Sequence, residues 1–310
     1  MIKFAFVFPG QGSQALGMLN AFDGNAAVRE TVAQASAALE FDLGALMADG
    51  PKEALDLTTN TQPVMLTAAV AFYRAWIAAG GAAPAMVAGH SLGEYSALVA
   101  AGIIPFADAV PLVRFRAQAM QEAVPVGQGG MAAILGLSDE DVRAVCRETA
   151  QGDVVEAVNY NAPLQVVIAG HKSAVDRACE LAKTRGAKRA LMLSVSAPFH
   201  SSLLQPASAR LREYLAPLTF MPPGIALINN VDVAIVQDPE GIKDALVRQA
   251  ASPVRWVETV QAMAASGITH LIECGPGKVL TGLTKRIDAR LTGEAIVDPA
   301  SMDKIMELLK

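Results

Sequence analysis

Residues Gly89-His90-Ser91-Leu92-Gly93 set a serine between two glycines, after the apolar run 86–88 and before a helical run at 92–101 that Gly102 closes. In a G-x-S-x-G turn the backbone leaves a strand abruptly for a helix. The glycines allow close passage, and the serine hydroxyl stands over the carboxyl end of the sheet. The Leu92 amide then lies at a helix N-terminus, where it can face an oxyanion. A serine placed in this way takes an acyl group from an ester or thioester and passes it to water or to a second nucleophile.

Such a serine needs a base, and the chain has four histidines to supply one: His90, His171, His200 and His270. His90 is the neighbour of Ser91 on a tight turn, where adjacent side chains project apart. His171 opens a helix and is expected at the surface or as a cap. His270 begins the strand at 269–274, where partial burial without chemistry is expected. His200 follows the segment SVSAPF and precedes a helix, at a loop expected on the carboxyl edge of the sheet, where α/β folds bind ligands. His200 is therefore the expected base.

Arg116 is the third residue that could do chemistry. On a helical wheel over 109–120, Leu112, Val113, Phe115, Ala119 and Met120 form an apolar arc. Arg114 falls on the opposite face with Gln118 and Gln121, but Arg116 falls inside the arc. A buried guanidinium must be paired. Two readings stay open: an internal carboxylate or a side chain that reaches out to solvent, and a carboxylate that arrives with the substrate and is held bidentately. Pro111 would kink a helix interior, so the helix is expected to begin near it.

The elements that must position these residues alternate between strand and helix. A strand at 2–8 turns at Pro9-Gly10-Gln11-Gly12-Ser13, and helices are expected at 25–40 and 63–79, the second with Pro63 in its first turn. This alternation implies a parallel sheet covered by helices. Beyond the linker-like segment PVGQGG at 125–130 the order becomes βαββαβ, which is the ferredoxin-like unit. The expected fold is α/β: a larger α/β-hydrolase-like domain formed by 1–126 and 197–310, and an inserted ferredoxin-like subdomain at 127–196.

With 310 residues, 52% hydrophobic and 18% charged, the chain is long and apolar enough for a large core and is not a disordered chain. A net charge of −5 gives no basic field for nucleic acid. Cys146, Cys179 and Cys274 lie far apart with no C-x-x-C, so neither a disulfide framework nor a zinc site is expected. The N-terminal apolar run is too short for a signal peptide, and no run approaches a membrane helix. The expected location is the cytoplasm. The chain ends soon after the helix at 279–287, which suits a free-standing enzyme, and a monomer is expected.

With these residues in view, the sequence resembles the malonyl-CoA:acyl carrier protein transacylases of fatty acid synthesis. The resemblance runs the whole length. It rests on PGQGSQ at 9–14, GHSLGEYSAL at 89–98, Arg116, APFH at 197–200, VRQ at 247–249 and ECGPGKVLTGL at 273–283. It implies that Ser91 is the nucleophile, His200 the base and Arg116 the holder of the malonyl carboxylate. It also implies that the Gln11 and Leu92 amides form the oxyanion hole. The resemblance further implies that a carbonyl of Gln249 takes the place of the usual triad acid and that Phe199 limits the acyl group. Malonyl-CoA and an acyl carrier protein are the implied partners, with no metal or redox cofactor. Because such a carrier is acidic, a local basic patch is expected. Lys183, Arg185, Lys188 and Arg189 form one candidate, with Lys188 and Arg189 as docking residues, and Lys285-Arg286 forms another.

Three other readings compete. A carboxylesterase or thioesterase would place an acid between Ser91 and His200 and an apolar acyl pocket, which Arg116 argues against. A non-catalytic carrier-binding protein would not need Ser91, His200 and Gln249 intact. Phosphate binding at GQGSQ lacks the P-loop lysine and the G-x-G-x-x-G spacing.

Overall fold

Along β1 (Phe4–Phe8), Phe4, Phe6 and Phe8 alternate with Ala5 and Val7, and both sets are buried. A strand buried on both faces belongs in the interior of a parallel sheet covered by helices. The computed structural model, which describes residues 2–310, places it there. The other strands are β2 (Met86–Gly89), β3 (Gly129–Leu135), β4 (Val155–Ala162), β5 (Gln165–His171), β6 (Arg189–Met192), β7 (Ala226–Leu227), β8 (His270–Cys274) and β9 (Thr292–Ile296). The helices up to the second sheet are α1 (Ala26–Leu39), α2 (Leu43–Asp49), α3 (Lys52–Leu55), α4 (Thr58–Ala78), α5 (Gly93–Ala100) and α6 (Phe106–Glu122). Then come α7 (Asp139–Ala150), α8 (Lys172–Thr184), α9 (Gln205–Leu215), α10 (Pro239–Gln249), α11 (Trp256–Ala265), α12 (Val279–Ile287) and α13 (Pro299–Leu308).

The main sheet runs β7-β2-β1-β8-β9, all parallel. On one face Phe6 meets Trp76 of α4 edge-on, with ring centroids 5.4 Å apart. On the other, Ala5 and Val7 pack with Trp256, Val260 and Met263 of α11 and Leu280 and Leu283 of α12. Phe8 of β1 lies level with Gly89 of β2, so the turns that follow the two strands are neighbours. Glycine is required there by distance alone. A Cβ on Gly93 would stand 2.0 Å from the Phe8 carbonyl oxygen, and one on Gly89 would stand 1.9 Å from the Gly93 backbone.

The second sheet is antiparallel, in the order β4-β5-β3-β6, and is built from the continuous run β3-α7-β4-β5-α8-β6. Ala132, Ile134, Val166 and Ile168 face α7 and α8. Met131, Val158, Val167 and Ala169, on the other face, belong to the main core cluster. Strand β4 also sutures the two parts. The Tyr160 amide donates to the Val254 carbonyl (3.0 Å), and the Val254 amide donates to Val158 (2.8 Å). The Glu156 carboxylate accepts from the amide and hydroxyl of Ser202, at 2.7 and 2.8 Å.

Several elements depart from the sequence expectation. Helix α4 begins at Thr58, so Pro63 is its sixth residue instead of a first-turn residue, and Pro111 is likewise the sixth residue of α6, which begins at Phe106. The i−4 ladder has already begun at Thr61 and at Ala109, so each proline leaves one carbonyl of the preceding turn, that of Thr59 or of Ala107, without its ladder amide. Strand β7 pairs with β2 only over Ala226–Leu227, and Asn229 and Asn230 beyond it are buried. Beyond Ile287, β9 extends the main sheet and α13 follows, and the long run 231–250 contains α10. His171 precedes α8 without a side-chain cap. Its Nδ1 instead accepts the Val154 amide at 2.9 Å. Among the described residues no helix is long and apolar enough to cross a membrane.

Candidate active site

Ser91 has φ +53°, in the left-handed region, which costs a non-glycine residue about 1 kcal/mol and is held by surrounding bonds. Asn230 holds it from both ends: its Oδ1 accepts the Ser91 amide (2.8 Å) and its Nδ2 donates to the Gly89 carbonyl (2.7 Å). The strain aims Ser91 Oγ at His200 Nε2, 2.6 Å away. His200, itself at φ +66°, donates from Nδ1 to the main-chain carbonyl of Gln249 at 2.9 Å. A carbonyl can only accept, so Nδ1 carries the hydrogen and Nε2 is left to receive the Ser91 proton. Burial is the main reason that the imidazole is lowered from its ordinary 6.5 to about 3, and the positive charge of Arg116 adds to it.

Arg116 is 1% exposed. Among the described residues no carboxylate forms a salt bridge with it. Its Nη1 donates to Gln62 Oε1 and its Nη2 to Gln249 Oε1, both at 2.9 Å, and Nη2 lies 3.4 Å from Ser91 Oγ. The Tyr95 ring lies under the guanidinium, 5.2 Å from centroid to Cζ. Nε has no partner among the described residues. Each glutamine is fixed in turn: Gln62 donates to Gln11 Oε1 (3.2 Å), and Gln249 donates to the Ser91 carbonyl (3.0 Å) and to Glu94 Oε2 (2.9 Å). Neutral amide oxygens thus hold the cation without cancelling its charge. Glu94 is buried and its carboxyl is pushed up to about 7 by that burial, against the pull of Gln249, the Asn230 amide and Arg116.

The structure therefore brings Ser91, His200, Gln249 and Arg116 together. The carbonyl of Gln249 that faces His200 is the main-chain one, while its side chain faces Arg116 and Glu94. Gly10 packs on the His90 carbonyl (a Cβ there would be 2.7 Å from it), so the turn carrying Gln11 lies against the serine turn. Among the described residues neither the Gln11 nor the Leu92 amide has an acceptor. His90 turns away from Ser91 and pairs through Nε2 with Asn161 of β4 at 2.8 Å. His270 pairs through Nδ1 with the Thr269 hydroxyl. Phe199 is buried in the main cluster. Lys188 and Arg189 are exposed at the start of β6, in the antiparallel sheet.

Sequence reasoning passed over Glu94, Asn230 and Gln62. Each had a signal: Glu94 stands in the serine turn's own helix, Gln62 in an apolar helix, and Asn230 in an Asn-Asn pair that follows an apolar run. A cavity of about 810 Å³ lined by Phe22, Val28, Val32, Phe41 and Met47 includes none of the site residues.

The family model of the acyl transferase domain matches residues 5–291. A malonyl CoA-acyl carrier protein transacylase of Escherichia coli K12 is 56% identical over 309 residues, 99% of this chain and all of that one. The chain belongs to the malonyl CoA-acyl carrier protein transacylase family. It is an acyltransferase. An acyl-carrier-protein S-malonyltransferase from Burkholderia pseudomallei 1710b, solved as a crystal structure, is 69% identical with a TM-score of 0.98, over 99% of this chain and 100% of that one. A malonyl-transacylase solved in complex with its type II polyketide acyl carrier protein is 51% identical with a TM-score of 0.97, over 99% of each chain.

The acyltransferase's buried histidine has a definite pH signature. Because its folded value lies below 6.5, His200 contributes its full stability above pH 6.5. That contribution is lost as pH falls from 6.5 towards about 3, where only the unfolded chain takes the proton. Imidazole NMR at about pH 5 should find His200 neutral, with its hydrogen on Nδ1. An imidazolium signal at that pH would contradict the site as described.

Proposed function

We propose that the acyltransferase moves a malonyl group from malonyl-CoA to the phosphopantetheine thiol of an acyl carrier protein, through an ester on Ser91, and so supplies fatty acid elongation. The observation that carries this reading is Arg116: a buried guanidinium beside the nucleophile, held among the described residues by neutral acceptors. A cation in that setting favours an acyl group that brings its own carboxylate. The names of the relatives agree, as does the carrier protein bound in one of them.

In the first half-reaction His200 Nε2 takes the Ser91 proton and Oγ attacks the thioester carbonyl. The Gln11 and Leu92 amides hold the oxyanion. The intermediate collapses, the C–S bond breaks, and the CoA sulfur leaves with the proton from His200. In the second, His200 takes the proton of the carrier thiol, whose sulfur attacks the ester. Ser91 Oγ then leaves and recovers its proton from His200. The kinetics are ping-pong. The Gln249 main-chain carbonyl keeps the imidazole in the required tautomer throughout without adding a negative charge. Phe199, buried next to the base, leaves little room for an α-branched acyl group.

Residues 127–196 serve as an inserted ferredoxin-like subdomain within a discontinuous, α/β-hydrolase-like domain of 1–126 and 197–310. Their βαββαβ order and strand order support that division. Lys188 and Arg189 dock the carrier. Both are exposed, and among the described residues neither sits in an ion pair, unlike Lys183 with Glu180 and Arg185 with Glu148. Arg286 donates to Gln165, so the Lys285-Arg286 pair is the weaker candidate.

Arg116→Ala should lower kcat/KM for malonyl-CoA by ~10³, about 4 kcal/mol, while use of acetyl-CoA stays level or improves. A steady-state comparison of the two thioesters checks this, and an unchanged preference for malonyl would refute the clamp. Charge reversal at Lys188 and Arg189 should slow transfer to the carrier and spare loading from CoA. Equal loss in both halves would refute docking there.

A further inference from the structure

The Gln249 side chain can lie two ways, and its surroundings permit one. As placed, Oε1 accepts from Arg116 and the Nε2 group donates to the Ser91 carbonyl and to Glu94 Oε2. Turned over, the NH₂ group would face the guanidinium, donor against donor, and the oxygen would face two acceptors. On the acceptor side the strong group is Glu94, on the first turn of α5, three residues after Ser91. It is 1% exposed, in no salt bridge among the described residues, and its Oε2 also accepts the Asn230 amide at 3.0 Å. Asn230 is the residue that clasps the serine turn.

We propose that Glu94 is a positioning residue for acyl-group selection: by taking the Gln249 Nε2 hydrogen it fixes which way that amide faces, and so aims Arg116 at the substrate carboxylate. This rests on the reading of Arg116 as the carboxylate clamp. Placing the carboxylate one residue removed from the guanidinium matters. A direct ion pair would compete with the substrate for the same fork, whereas an amide between the two transmits orientation and leaves the positive charge of the fork uncancelled beside Ser91 Oγ. Gln62 and Gln11 repeat the device on the Nη1 side, with a neutral acceptor at the far end.

Two substitutions separate acceptor from charge. Glu94→Gln keeps an oxygen at the same reach and loses the charge, whereas Glu94→Asp keeps the charge and withdraws the oxygen by one methylene. The readout is the ratio of kcat/KM for malonyl-CoA to that for acetyl-CoA, with thermal melts to confirm folding. Glu94→Asp should lower the ratio by about tenfold or more, and Glu94→Gln should hold it within about threefold of the parent. The opposite order, or an unchanged ratio in Glu94→Asp, would overturn the proposal. A residue that merely supports the fold would lower both thioesters together and leave the ratio alone. Arg116→Ala measured beside them keeps the two readings apart. If it leaves the ratio unchanged the clamp itself fails; if it collapses the ratio while Glu94→Asp does not, only the role of Glu94 fails.

Discussion

A guanidinium buried with no carboxylate paired to it among the described residues is the constraint on which the site depends. Taking an ion out of water costs several kcal/mol even after relaxation, and the fold offsets that cost for Arg116 with two amide oxygens and a tyrosine ring. Those amides hold only because other groups hold them: Gln11 for Gln62, and the Ser91 carbonyl with Glu94 for Gln249. The same residue, Gln249, presents its main chain to His200 and its side chain to Arg116. Base and cation are therefore tied to one residue at the end of α10. The field of the cation also helps keep His200 neutral, which is the state a base must start from.

The two sheets meet around this arrangement. The parallel sheet supplies adjacent turns after β1 and β2, so close that glycine alone fits at 89 and 93. The antiparallel sheet reaches in with β4, which bonds His90 through Asn161 and Ser202 through Glu156. Strand β4 thus braces the neighbour of the nucleophile and a residue two places from the base. Glu94 and His200 pull stability in opposite directions with pH. The raised carboxyl contributes fully below 4.5 and loses its contribution as pH rises through about 7, while the lowered imidazole contributes fully above 6.5.

Much of this is legible in the sequence because the signals are local. The serine turn needs a strand, two glycines and a helix in a row, and all are contiguous. Arg116 betrays itself by interrupting an apolar arc, and its helix buries it as that arc requires. The βαββαβ run is equally plain, since each element carries its own period. Asn230 and Gln62 are less legible. An amide side chain just past a strand or inside an apolar helix acquires meaning only from partners 139 or 54 positions away, Ser91 and Arg116, and sequence spacing carries no trace of those distances. Proline misled the helix starts because its cost depends on its distance from the first turn, which the sequence leaves undefined. Residue 249 was legible as a site residue through its motif, but not the division of labour between its main chain and side chain, which follows from the end of α10.

The most direct measurement is the intact mass of the protein after mixing with malonyl-CoA, beside Ser91→Ala, with acyl carrier protein then added. The account predicts a malonyl adduct that requires Ser91, persists in buffer and leaves when the carrier arrives. An adduct discharged by water alone, or an acetyl adduct formed in preference to the malonyl one, would contradict it.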